Sequence, residues 1–164
     1  MGKQTMKKAL IIAATLIGAS ATISNGAHAE SFTPIKDQKI TAACGECHMT
    51  FFPQMLPQAS WKKIIGDLSN HFGEDASLDA ATQAYVLNYH LGDAADVKST
   101  RAAKKWMSNV DLNNPPERIV TAPRFVRKHS EREFTRMWER KKVKSKADCV
   151  ACHKDAQRGI FEDD

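Results

Sequence analysis

Much of what this chain is follows from what it lacks. Beyond residue 29 no stretch is long and apolar enough to cross a bilayer, which wants roughly 18–20 such residues. No segment alternates apolar and polar residues convincingly, so a sheet-built architecture is not expected. There are only four cysteines, and all sit in two clusters of identical spacing, so none is left over for a disulfide. There is little net charge. The formal +5 includes Lys3, Lys7 and Lys8; without them 21 basic residues face 19 acidic ones. That balance argues against nucleic acid as a partner.

Those three lysines belong to a basic start followed by the apolar run 9–21 and then Ala27-His28-Ala29. This is the pattern of a secretory leader cleaved after Ala29. Cleavage leaves 135 residues with no membrane anchor, exported to the periplasm. Its charge is unevenly placed. Residues 30–97 carry 4 basic and 9 acidic side chains, whereas residues 98–164 carry 17 and 10. Such a dipole steers a protein onto a charged redox partner.

The cysteine clusters are Cys44-Gly45-Glu46-Cys47-His48 and Cys149-Val150-Ala151-Cys152-His153. Cys-x-x-Cys-His is the attachment signature of c-type haem. The cysteines form thioethers to the porphyrin, and the adjacent histidine binds iron. A single Cys₄ zinc site built from both pairs is the competing reading. The histidine after each pair and the leader oppose it, because free thiols do not persist in an oxidising compartment. Two haems in so short a chain must form much of its core, so folding should depend on them.

The expected fold class is all-α, with haem-binding lobes at 30–97 and 98–164. Residues 37–48 read as a helix ending in the first motif, and 50–59, with Pro53 and Pro57, as a loop. Ser60 is the expected N-cap of a helix whose apolar stripe (Trp61, Ile64, Ile65, Leu68, Phe72) includes His71, with Gly73 as its stop. Ser77 is expected to cap a helix reaching Leu91. Residues 101–107 form a short basic helix, and Ser130-Glu131-Arg132-Glu133 is a capping box opening a helix to about Lys142. Ser145 starts a last helix carrying the second motif.

His48 and His153 are the proximal iron ligands by motif. For the sixth positions there remain His71, His90 and His129, besides methionines. His71 shares an apolar face with the expected haem and suits the distal position of a class I-like N-terminal lobe. His129 follows Pro123 and Phe125 in a segment read as extended and able to reach over a second haem. His90, near a helix end, is the runner-up. Trp61, Trp106, Tyr85, Phe125, Met137 and Trp138 are expected as pocket walls.

The order of Cys44–His48, Met55-Leu56-Pro57, Ser60-Trp61, the specific run His71-Phe72-Gly73-Glu74, Pro123-Arg124-Phe125 to His129, and the closing Cys149–Ala156 resembles the dihaem cytochrome c family of bacterial periplasmic electron carriers. The resemblance implies two covalently bound, low-spin haems with two histidines each, supports His71 and His129 as distal ligands, and gives His90 no role. It also implies a high-spin monohaem c-type cytochrome as partner. With both irons closed, the expected function is electron transfer by a monomer, not catalysis. The alternatives are a small dihaem enzyme or ligand sensor with one open iron, and a zinc-stabilised interaction module.

Overall fold

The computed structural model describes residues 1–2, 30–130, 136–139 and 143–161. The leader at 3–29, the capping-box glutamates and the acidic end at 162–164 lie outside them. Five α-helices carry the described chain: α1 (Gln38–Cys44), α2 (Gln58–Gly66), α3 (Ala80–Gly92), α4 (Arg101–Met107) and α5 (Pro123–His129). Residues 136–139, within the expected helix 131–142, are helical. Single 3₁₀ turns lie between α1 and α2, between α2 and α3, and between α4 and α5.

Local chemistry explains the helix starts. Asp37 caps α1, its carboxylate accepting from the backbone N–H groups of Lys39 (2.9 Å) and Ile40 (3.2 Å). The Tyr85 hydroxyl donates to the same carboxylate (2.5 Å), tying α1 to α3. That hydrogen bond and the cap hold the Asp37 carboxyl below its usual range. Tyr85 is therefore a half-exposed clasp between helices. Asp79, not Ser77, caps α3 by accepting from Thr82 N–H (3.0 Å). Similarly, α2 begins at Gln58 behind Pro57, and Ser60 lies buried inside it. Proline fixes its own φ and needs no N–H there, so it starts the helix before serine can.

Helices α2 and α3 pack together, with the 53–55 turn and α4 on the adjoining side. One hydrophobic cluster runs through Phe32, Ile40, Phe52, Leu56, Trp61, Val86, Trp106, Ile119 and Phe125. Burying each large side chain of this set contributes about 1.5–3 kcal/mol. The Trp61 indole N–H donates to the Pro53 carbonyl (2.8 Å), so its polar atom is satisfied inside the core.

A two-residue strand pair, absent from the sequence expectation, closes the molecule. β1 (Glu30–Ser31) pairs antiparallel with β2 (Ile160–Phe161). The Phe32 N–H then donates to the Gly159 carbonyl (2.8 Å). Beside this pair Glu30 bonds Arg124 of α5 at 3.1 Å, both side chains nearly buried.

Candidate haem-binding site

Cys44 is the last residue of α1, and Gly45 turns the chain out of the helix. A Cβ at Gly45 would collide with the Thr41 carbonyl, so this tight exit needs glycine. The turn delivers His48. Its ring Nδ1–H donates to the Met49 carbonyl (2.7 Å). A carbonyl only accepts, so this bond keeps the proton on Nδ1 and leaves the Nε2 lone pair available to a metal. Phe51 stacks on the ring at 4.7 Å.

The His71 ring lies 6.1 Å from that of His48, the planes 29° apart. It does not ride on a helix as expected. α2 stops at Gly66, and a 3₁₀ turn over Leu68–Asn70 leads into a small loop. There His71 N–H donates to the Glu74 carbonyl (2.7 Å), and Glu74 N–H to His71 O (3.2 Å). Phe72 (φ 59°) and Gly73 (φ 101°) take left-handed conformations to make the loop. Arg118 lies 4.2 Å over the Phe72 ring. Burial, with the neighbouring His48 and Arg118, pushes the His71 pKa below the usual histidine value. Its Nδ1 is buried without a hydrogen bond among the described residues.

His129 and His153 make a second pair, their ring centres 6.2 Å apart and their planes at 86°. His129 is the final residue of α5, not part of an extended segment. Pro123, read in the sequence as a breaker, occupies the first helical position, where it starts a helix. Helical spacing then brings the His129 Nδ1–H onto the Phe125 carbonyl (2.9 Å). The Phe125 ring stacks at 4.1 Å and Trp138 lies at 6.0 Å. His153 follows a 3₁₀ turn over Cys149–Ala151, in place of the helix expected from Ser145. Its backbone N–H donates to the Cys149 carbonyl (2.8 Å). Phe161 of β2 packs against its ring at 5.3 Å. Phe161 was not singled out in the sequence, where one aromatic before an acidic end carries no periodic signal.

His90 stands apart. Only 2 % exposed, it packs on Trp61 at 4.4 Å. Its Nδ1–H donates to the Val86 carbonyl (2.8 Å), and the Phe51 carbonyl also interacts with the ring. Burial pushes its pKa down against these two carbonyls, which favour a proton.

Both histidine pairs have the separation that one metal atom requires. Two metal–nitrogen bonds of about 2 Å, each extended by the roughly 1 Å from nitrogen to ring centre, span about 6 Å. Two of the thiols are not set up for redox exchange. Burial raises the pKa of Cys44, and that of Cys149 to about 11, so neither is a poised thiolate. Among the described residues no three or more His, Cys, Asp or Glu side chains converge on one point, as a Cys₄ site would require.

A family model described as dihaem cytochrome c matches residues 40–161. Among solved structures, the chain is similar to a diheme cytochrome c from Rhodobacter sphaeroides, with 37% identity and a TM-score of 0.70, over 79% of this chain and 100% of that one. It is also similar to a diheme cytochrome type c from Shewanella baltica OS155, with 33% identity and a TM-score of 0.60, over 76% of this chain and 86% of that one. No curated protein matches the chain.

Proposed function

We propose, from the premise that the chain belongs to the dihaem cytochrome c family, that it is a periplasmic electron carrier with two closed, bis-histidine irons. Two covalently bound haem c groups follow from family membership. The observation that carries the closed-iron reading is the pairing of each motif histidine with a second histidine, His71 or His129, across a gap sized for one atom.

The haems supply one-electron redox chemistry; the protein binds, orients and shields them. Cys44 and Cys47 hold the first by thioether bonds, and Cys149 and Cys152 the second. His48 and His71 ligate one iron, His153 and His129 the other. The Met49 and Phe125 carbonyls fix the tautomers of His48 and His129 and raise their basicity. Two nitrogen ligands on each iron leave no position for a substrate, so an enzyme with an open iron is the disfavoured alternative. Histidine in place of methionine as distal ligand lowers the potentials. The lobes are residues 30–97 and 98–164. The basic start, apolar run and Ala27-His28-Ala29 support export. Among the described residues no helix is long and apolar enough to cross a membrane. Electron carriage implies redox protein partners; a high-spin monohaem c-type cytochrome is the partner that the family resemblance favours.

Carbon monoxide added to the dithionite-reduced holoprotein tests the closed irons. The parent should show no rapid Soret shift at neutral pH. His71→Ala and His129→Ala should each open one iron, with a pyridine haemochrome assay confirming two haems per chain. A rapid shift in the parent would overturn the reading.

A further inference from the structure

The basic residues of 98–130 are not spread evenly. This stretch holds eight Lys/Arg against two Asp/Glu. Some are neutralised: Lys98 pairs with Asp93 (2.9 Å) and Arg124 with Glu30 (3.1 Å). Glu117, one of the two acids, reaches instead to Lys63 (3.7 Å). Four of the others gather where α4 packs on α5. There a cavity of about 500 Å³ is lined by Arg101, Lys104, Lys105, Ser108 and Arg127. Four cations share it with a hydroxyl, and no carboxylate lines it. None of the four makes an ion pair among the described residues. Like charges facing one open cavity repel one another. A counter-charged partner relieves that repulsion.

We propose that the α4–α5 cleft is the docking surface for a carboxylate-rich face of a redox protein. The inference rests on the electron-carrier reading and adds where the partner binds and what recognises it. Two observations favour a protein there. Arg127 lies two residues before His129 on α5, so the cleft is on the opposite face of that helix, one helix diameter of about 10–12 Å from the second histidine pair. The 98–130 stretch is the basic part of an unevenly charged chain, so its field attracts an acidic partner before contact. Encounters between redox proteins use small interfaces, below about 1,200 Å², in which charge sets the rate of association.

The test uses the holoprotein and a rhodamine-labelled octaglutamate peptide, whose fluorescence the haem quenches on binding. The parent should bind with an affinity that falls as salt rises. Arg101→Gln/Lys104→Gln/Lys105→Gln should slow association by about tenfold or more at low salt. The single reversal Lys104→Glu should act in the same direction. Lys36→Gln/Lys62→Gln/Lys146→Gln, the same charge change elsewhere, should bind as the parent does. Equal binding by the cleft and control variants would overturn the proposal. So would cleft-dependent binding of inorganic phosphate or phosphatidylglycerol vesicles without binding of the peptide. The carbon monoxide assay on the same samples reads the closed irons separately, so failure of the electron-carrier reading is distinguishable from failure of the docking site.

Discussion

Truncating His90 to alanine separates a histidine that builds the core from one that binds iron. The ring is 2 % exposed, rests on Trp61 and donates to the Val86 carbonyl. Losing that much packed volume costs about 2–4 kcal/mol by analogy with other large-to-small core changes. The lost hydrogen bond adds about 1 kcal/mol. For a chain of this length, one kcal/mol moves the midpoint by roughly 3–5 °C, so thermal unfolding followed by far-ultraviolet circular dichroism should shift down by about 10–25 °C. A second signature is pH. Burial lowers the folded-state pKa of His90, so the folded protein holds the ring neutral while the unfolded chain takes up a proton below about 6.5. Its contribution is fully present above that pH and is lost as pH falls through the unfolded value towards the folded one. The alanine variant should lose this part of the acid sensitivity, and its ferric spectrum should stay low-spin. A high-spin signal or carbon monoxide binding would refute the placement of His90 in the core. A loss of less than about 1 kcal/mol would refute the packing argument.

Two further outcomes follow from particular angles. The histidine planes are 29° apart in one pair and 86° in the other. Near-parallel rings split the iron π orbitals and near-perpendicular rings leave them almost degenerate, so low-temperature electron paramagnetic resonance of the ferric protein should show two distinct low-spin signals of equal weight; one common signal would contradict this. Gly159→Ala should destabilise by about 2–4 kcal/mol, since its φ of 80° is left-handed and a new Cβ would stand 2.5 Å from the Phe32 carbonyl. Gly73→Ala (φ 101°, nothing nearby) should lose only about 1–2 kcal/mol, and equal losses in urea titrations would show that the contact at Phe32 contributes nothing.

The haem motifs were legible because covalent attachment fixes both residue type and spacing. The helices were legible where capping chemistry is local, as at Asp37. His71 shows the limit. It continues the apolar spacing of Ile64 and Leu68, yet the chain leaves the helix at Gly66 and returns it to the same side through a loop with two left-handed residues. Periodicity cannot distinguish a side chain on a helical face from one brought there by a turn. His129 erred in the opposite direction, because Pro123 can break a helix or begin one, and only the packing of Phe125 and α4 decides. Nothing local marks His90 as a core residue. Its neighbours Trp61 and the Phe51 carbonyl come from other elements. The pairing of His71 with His48 and of His129 with His153 is likewise a property of the assembled chain.

The strand pair has a bearing on biosynthesis. Glu30 cannot find Phe161, nor Phe32 the Gly159 carbonyl, until nearly the whole chain has emerged. Closing so long a loop is an entropic cost that no local contact offsets in advance. The seam therefore forms late, after both Cys-x-x-Cys-His segments have been synthesised. Once zipped, the seam ties Glu30–Ser31 to Ile160–Phe161, so neither segment can leave without exposing the other.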